Sequence, residues 1–168
     1  MNAPTLHTDR LTLRLAEPED WPTYREYSTG PRSKTAGGPF PATSAWHRFA
    51  GFWGHWAICF GRFTIVEQAT GAPVGHVGPY MPEGHPEPEL TWTLWTDDAE
   101  GRGIAFKAAT AARDWCYGTL DWTTLTSHID PANTRSAALA ERLGAHRETS
   151  FDHDGLTIDL YRHPGPKP

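Results

Sequence analysis

The sequence predicts a single α/β domain (α+β in some schemes) with a mixed central sheet of about seven strands. Alternating apolar and polar residues indicate strands, and apolar residues three or four positions apart indicate helices. The two kinds of segment are interspersed along the chain, which favours helices packed on one sheet. The length of 168 residues suits one domain with a proper core. Since no repeat or long linker divides the chain, residues 1–168 are predicted to form one domain.

The first half of the chain carries signals for one strand, two helices and a hairpin. Acidic residues and a proline in the first turn favour a helix start at 17–20. Gly51 and Gly54 predict an early break in the second helix. Up to residue 80, the predicted elements are a strand over 9–15, a helix from 17–20, a loop over 29–42, a helix capped by Thr43 or Ser44, and a hairpin of 62–67 with 73–80.

The second half repeats the alternation of strand and helix. A proline-rich loop over 81–88 leads into the fourth strand, and Gly144 is a typical helix end. The sequence Asp152-His-Asp-Gly155 is typical of a hairpin turn. The predicted elements are strands over 89–95 and 123–129, a helix over 103–117, a helix ending at 144, and a hairpin of 146–151 with 156–162.

Composition excludes several classes of function. A net charge of −5 without a basic run argues against nucleic acid as a partner and suits a cationic or amine substrate. Apolar runs are too short to span a membrane, and the N-terminus lacks a signal-peptide core. Two distant cysteines, Cys59 and Cys116, are expected to be buried free thiols in a reducing compartment. These observations predict a cytoplasmic protein without a membrane partner.

Motifs for other chemistries do not match. The nine histidines show no metal-ligand spacing, so no metal is expected. A covalent serine nucleophile would need a Gly-x-Ser-x-Gly elbow, which the sequence lacks. A dinucleotide loop needs a small residue where Phe106 stands, and a nucleoside-triphosphate loop needs Gly-Lys-Ser/Thr.

The stretch from Asp97 to Ala108 is the clearest candidate binding site. It joins a strand to a helix through Gly101-Arg102-Gly103, which would present backbone N–H groups and a helix dipole to an anion. The glycines permit positive φ and leave no Cβ near a phosphate. Arg102 adds a fixed charge. Taken alone, so short a motif is more typical of a turn that merely opens a helix than of an anion site.

Three segments together resemble one family. Glu100-Gly101-Arg102-Gly103-Ile104-Ala105 resembles the acetyl-CoA pyrophosphate loop of the GNAT N-acetyltransferase superfamily. One strand later, Asn133-x-x-Ser136-x-x-Leu139-x-x-x-Leu143-Gly144 resembles the family's second motif. The opening string TDRLTLRLAEPEDW resembles the ribosomal-protein N-acetyltransferase-like branch. The resemblance covers roughly residues 6–162.

The resemblance implies a mostly antiparallel sheet with helices on both faces, whose fourth and fifth strands splay apart around the thioester. It implies acetyl-CoA as co-substrate, and it implies that the loop over 29–42 and the following helix wall the acceptor pocket. By the same resemblance, Asn133 binds the pantetheine arm, and Ser136 contacts the thiol and protonates the leaving thiolate. The implied cofactor-binding residues are Leu94, Trp95, Thr96, Glu100, Gly101, Arg102, Gly103, Ile104, Ala105, Phe106, Asn133 and Ser136.

Three positions depart from the family pattern. Glu100 stands where Gln or Arg is usual, and its carboxylate should weaken diphosphate binding unless it points away. Ala140 replaces the tyrosine that serves as general acid in many members, which leaves Ser136 or water for that role. Ala145 replaces the usual Phe. Because Ala140 and Glu100 weaken the match, a non-catalytic acyl-CoA sensor or regulator is the alternative function.

Acyl transfer to an amine requires a group that removes the amine's proton. Glu89 is the candidate base, since apolar neighbours would raise the pKa of its carboxyl, although an exposed strand-end acid is an equal alternative. Other candidate bases are Glu87, His76, His85 and His128. The expected acceptor is a primary amine, on a small molecule or a protein N-terminus, and a homodimer is left open.

Overall fold

The structure is a computed structural model that describes residues 3–83, 85–153 and 155–166. Its centre is one eight-stranded sheet in the order β1-β2-β3-β4-β5-β6-β8-β7. All neighbouring strands are antiparallel except β5 and β6, which confirms the predicted mixed, mostly antiparallel sheet. The strands are β1 Leu6–His7, β2 Leu11–Arg14, β3 Phe63–Glu67, β4 Pro73–Tyr80, β5 Glu89–Leu94, β6 Thr126–Ile129, β7 His146–His153 and β8 Leu156–Arg162.

The structure has one strand more than the seven that were predicted. This strand is β1, which lies before residue 9, where the sequence predicted no element. It contains two residues and pairs with β2. Such a short segment shows no measurable alternation, so periodicity does not detect it. The turn between β7 and β8 includes residue 154, which lies outside the described residues.

In the described part of the chain, four α-helices accompany the sheet, and they lie on both of its faces. Val77 of β4 packs with Ala108 of the third helix, whereas the neighbouring His76 contacts Tyr24 and Phe52 of the first two helices. Adjacent strand residues point to opposite faces, so these helices cover opposite sides. The helices are α1 Trp21–Thr29, α2 Ala42–Ile58, α3 Ile104–Thr119 and α4 Thr134–Arg142.

The predicted break in α2 is wrong, because the helix continues through Gly51 and Gly54 to Ile58. Phe49, Phe52 and Trp56 on its inner face are fully or almost fully buried. Burying large aromatic side chains stabilises each by about 2–3 kcal/mol. That gain exceeds the cost of about 1 kcal/mol for each glycine in a helix.

The sheet opens between β5 and β6. These parallel strands pair at Glu89 and Thr126, where the Thr126 N–H donates to the Pro88 carbonyl at 3.0 Å. One residue further, the Ser127 hydroxyl bridges to the Leu90 carbonyl at 2.6 Å. Beyond that bridge the strands diverge and leave a gap in the middle of the sheet. No helix in the described part of the chain combines the length and apolarity needed to cross a bilayer.

Candidate active site

A cleft of about 1100 Å³ fills the gap between β5 and β6. Its walls are β5, the short 3-10 helix Pro31–Ala36, the start of α3, the end of β6 and the first turns of α4. The loop predicted over 29–42 therefore contributes an ordered wall. The two motifs identified in the sequence lie on opposite sides of this cleft.

The start of α3 has the geometry of an anion site. Gly101 and Gly103 have φ of 70° and 73°, in the left-handed region where glycine has no steric cost. A Cβ on Gly101 would meet nothing within 4 Å, and one on Gly103 would come no closer than 3.9 Å to Arg10. Backbone conformation, and not crowding, is therefore what requires glycine. No described side chain caps α3, so its first N–H groups face the cleft unpaired.

Glu100 is held between two arginines at the cleft mouth. Arg32 donates to one of its carboxylate oxygens at 2.8 Å, and Arg135 donates to the other. Arg142, stacked 4.0 Å from the Phe106 ring centroid, also lines the cleft. Because two guanidinium groups neutralise Glu100, its carboxylate does not repel an incoming diphosphate as the sequence comparison suggested.

Arg102 points away from the cleft. Its guanidinium donates to both carboxylate oxygens of Glu67, at 2.6 and 3.1 Å, and its side chain does not contribute to the cleft wall. The half-buried Glu67 at the end of β3 explains this direction, because a bidentate carboxylate is the preferred partner of a guanidinium. The arginines that line the cleft are instead Arg32, Arg135 and Arg142, and their distance along the chain from the loop concealed them.

Leu94 ends β5, and the two residues that follow it have different surroundings from it and from each other. Leu94 lines the cleft, and its carbonyl accepts a hydrogen bond from Arg32 at 3.3 Å. Trp95 is buried in the aromatic cluster between α1 and α2, and its indole N–H donates to His76 Nδ1 at 2.9 Å. Thr96 begins the 3-10 turn Asp97–Ala99. Of the predicted loop residues, Glu100, Gly101, Gly103, Ile104, Ala105 and Phe106 line the cleft.

The second motif positions Ser136 inside the cleft. Asn133 caps α4 by accepting from the Ser136 N–H at 3.1 Å, and its side-chain NH₂ has no hydrogen-bond partner in the described chain. That NH₂ remains available to a ligand. Trp92 donates its indole N–H to Ser136 Oγ at 3.3 Å. Since the oxygen accepts this bond, the hydroxyl proton is free to be donated elsewhere. Sequence reasoning missed this role for Trp92, because the two residues lie 44 positions apart.

Glu89 begins β5 at the inner end of the cleft and is 8% exposed. Burial raises the pKa of its carboxyl to about 7, against weaker opposing effects of the His128 N–H and the Arg62 charge. The Nδ1 atoms of His128 and His85 lie 3.6 and 3.9 Å from one of its oxygens. A carboxylate with this pKa exchanges a proton near neutral pH.

The two histidines beside Glu89 are neutral at pH 7. Burial lowers the pKa of His128 to about 4, and burial also lowers the pKa of His85. The three ligand atoms of His85, Glu89 and His128 lie within 4.8 Å of one another. Two imidazoles and a carboxylate form a donor set that suits a transition metal as well as a proton. The expected absence of a metal remains a prediction.

The other candidate bases have different surroundings. Glu87 accepts two hydrogen bonds from Arg162, at 2.7 and 2.9 Å, and this pairing lowers the pKa of its carboxyl. His76 is buried under Phe52 and Trp95, and burial lowers its pKa well below the usual range. Neither of these two lines the cleft, whereas Glu89 and His128 do.

Comparison with known proteins agrees with this geometry. The family model described as the acetyltransferase (GNAT) domain matches residues 10–146. An acetyltransferase structure from Agrobacterium tumefaciens is 38% identical over 97% of this chain and 95% of its own, with a TM-score of 0.88. Ribosomal-protein-S5-alanine acetyltransferase from Vibrio fischeri is 17% identical over 98% of this chain and 100% of its own, with a TM-score of 0.74.

A third neighbour was solved with coenzyme A bound. It is a ribosomal L7/L12 alpha-N-protein acetyltransferase, 14% identical over 96% of this chain and 98% of its own, with a TM-score of 0.78. The fold and the cleft define an acetyltransferase. The chain belongs to the GNAT family and is an N-acetyltransferase, which confirms the family expected from the sequence.

Proposed function

We propose that the protein transfers an acetyl group from acetyl-CoA to a primary amine by direct attack of the amine on the thioester. The observation that carries this proposal is the cleft between β5 and β6, with an anion site at its mouth and the buried Glu89 at its inner end. Both groups that the reaction needs, a phosphate cradle and a base, thus lie along one channel.

The anion site would hold the diphosphate of acetyl-CoA. The first N–H groups of α3 supply hydrogen bonds, while Arg32 and Arg135 supply positive charge at the mouth. The half-buried amide of Asn133 faces the same cleft and can bind the pantetheine arm. Coenzyme A would thereby lie along the splayed strands, with its thioester near Ser136.

Glu89 takes the proton of the ammonium group, so that a neutral amine attacks the carbonyl carbon. With a pKa of about 7, its carboxyl is deprotonated often enough at neutral pH and still accepts a proton readily. The C–N bond forms as the C–S bond breaks, and the departing sulfur takes a proton. Ser136 is placed to donate it, because Trp92 already donates to its oxygen.

The surroundings of Ala140 leave no space for a tyrosine that could act as general acid at this position. Ala140 is fully buried among Ile129, Ala145 and Tyr161, so a larger side chain would not fit without repacking. The alternative function, a sensor that binds acyl-CoA without transferring its acyl group, rests on this replacement and on Glu100. The presence of Ser136 on the cleft side of the same helix favours transfer.

The experiment that separates the two functions follows free thiol after mixing the protein, acetyl-CoA and a panel of amines. The panel contains alkylamines, amino acids and short peptides with free N-termini. Amine-dependent thiol release above the hydrolysis background is the expected result. Tight acetyl-CoA binding by calorimetry without thiol release from any amine would contradict transfer and support the sensor.

A further inference from the structure

We propose that the acceptor is a small amine that also carries a carboxylate, and that Arg62 binds this carboxylate. The inference rests on the proposed function, because it names the class of molecule that would enter the inner end of the cleft. Its starting point is a half-buried arginine that has no anionic partner among the residues that the structure describes.

Arg62 precedes β3, and its guanidinium contacts two aromatic rings. It lies 4.5 Å from the ring centroid of Phe52 and 5.1 Å from that of Tyr80. Within the described residues these ring contacts are the ones that its guanidinium makes, and it forms no side-chain hydrogen bond or ion pair. Burial lowers the pKa of Arg62, because partial loss of contact with water costs a charged group free energy. Aromatic faces compensate only part of that cost.

Strand register places Arg62 on the same face of the sheet as Glu89. Thr64 pairs with His76 on β4, and Tyr80 of β4 pairs with Glu89 of β5. Residues two positions apart along a strand share a face, so these side chains all point towards α1 and α2. Two strand spacings, about 9–10 Å, separate β3 from β5. A molecule with its amine at Glu89 can therefore reach Arg62 through a chain of several bonds.

Glu89 does not serve as the counter-ion of Arg62. The two charges influence each other, but no direct contact joins the two side chains, and the raised pKa leaves the Glu89 carboxyl partly protonated at pH 7. A second arginine increases the positive charge of this region. Arg48, one helical turn before Phe52 on α2, stacks 3.8 Å from the Phe40 ring centroid and has no carboxylate partner in the described chain. Its charge opposes that of Arg62.

The charge of the region around Arg62 has the opposite sign to the net charge of the whole chain. The protein has a net charge of −5, yet Arg48 on α2 and Arg62 before β3 lie near one another, and neither has a carboxylate partner in the described chain. A planar guanidinium fork matches the geometry of a carboxylate, with two parallel hydrogen bonds. Binding an anionic acceptor would therefore relieve the repulsion between the guanidinium groups of Arg48 and Arg62.

The test compares pairs of acceptors that have the same length. Each pair is a straight-chain ω-amino acid and the alkylamine that lacks its carboxylate, assayed by thiol release at saturating acetyl-CoA. We expect kcat/KM at least about tenfold higher for the amino acid, as for other charge-assisted bidentate contacts. Arg62→Gln should remove this preference when both acceptors are assayed well above pH 7, where Glu89 is deprotonated with or without the nearby Arg62 charge that lowers its pKa. Arg62→Lys should retain part of the preference, and Arg25→Gln, an exposed control on α1, should retain all of it.

A binding measurement separates this inference from the proposed function. Simple alkanoates carry the carboxylate without an amine, and their affinity for the protein–CoA complex can be measured by calorimetry. Binding that Arg62→Gln abolishes supports the carboxylate site even if no amine is acetylated. Efficient turnover of alkylamines or neutral peptides, without any preference for a carboxylate, would overturn the inference while leaving acetyl transfer intact. Absence of alkanoate binding to a folded wild-type protein would overturn it as well.

Discussion

The two ends of the cleft differ in how their charged side chains are paired. At the mouth, Glu100 is paired with Arg32 and Arg135, and these groups are open to solvent to different degrees. At the inner end, Glu89 is buried without a strong cationic partner, and Arg62 rests on aromatic rings. The mouth is thus a set of exchangeable, screened ion pairs, whereas Glu89 and Arg62 at the inner end form no ion pair with an arginine, a lysine or a carboxylate in the described chain.

This difference explains how each end can function. An ion-pair network at the mouth can exchange its partners for phosphate groups at little cost, because water already solvates it. Burial at the inner end shifts pKa values, and that shift is what a base at neutral pH needs. Substitutions should therefore have large effects at the inner end and small, salt-dependent effects at the mouth.

The largest effect is expected for Glu89→Gln. Without the base, the rate at neutral pH should fall about 10²–10⁴-fold, while acetyl-CoA affinity stays close to that of the wild type. Because the pKa of Glu89 is about 7, wild-type activity should rise as pH increases through 7 and its carboxyl loses the proton. The defect should shrink at high pH, where the amine is already neutral.

Glu87→Gln is the matched control for this substitution. Glu87 lies two residues earlier, but Arg162 binds its carboxylate away from the cleft. Its replacement should leave the pH–rate profile unchanged. A Glu89→Gln enzyme that keeps wild-type activity at every pH would remove the base assignment and direct attention to His128 or a bound water.

A loss of about 100-fold in acetyl-CoA affinity is expected for Gly103→Asp, measured by isothermal titration. The new carboxylate would face the diphosphate at the start of α3, where the helix dipole and free N–H groups favour anions. Gly103→Asn is the control, since Asn has the same shape and tolerates the left-handed φ of 73°. Equal losses for Asp and Asn would show that strain, and not charge, is responsible.

A smaller effect, about tenfold on kcat, is expected for Ser136→Ala. A thiol with a pKa near 8.5 is a fairly good leaving group even without a proton donor, so assistance contributes little. In contrast to Glu89→Gln, raising the pH should not restore activity, because the missing proton belongs to the sulfur. Trp92→Phe, which deletes the donor to Ser136 Oγ, should show a weaker form of the same behaviour. Restoration of Ser136→Ala by high pH would contradict the assignment.

Sequence reasoning found the parts of the site whose residues are close in the chain. The turn at Gly101 and Gly103, the cap at Asn133 and the strand that begins at Glu89 all follow from local patterns. The partners of Glu100 could not be found in this way, since Arg32 and Arg135 are 68 and 35 residues from it. The same limit hid the bond between Arg102 and Glu67, which depends on the register of β3.

The long elements of the fold could be predicted for the same reason. Alternation predicted seven strands and helical spacing predicted four helices, because each long element buries a continuous face. Local propensity misjudged α2, where the glycines suggested a break and tertiary burial of aromatic residues maintained the helix. The lack of an ion-pair partner for Arg62 could not be predicted from the sequence either, because residues of α2, β3 and β4 together form its environment.

The smallest expected effect concerns charge at the mouth. Arg135 is 79% exposed on its side chain and faces the cleft, so Arg135→Ala should weaken acetyl-CoA binding about two- to fivefold at low salt. The loss should fade at high salt, where the Debye length is short.

Arg102→Ala should change affinity less, because Glu67 already binds that guanidinium outside the cleft. Titrations of both variants at two ionic strengths decide the matter. A larger loss for Arg102→Ala than for Arg135→Ala would mean that Arg102 leaves Glu67 when the diphosphate binds, and the contrast between a paired mouth and an unpaired interior would need revision.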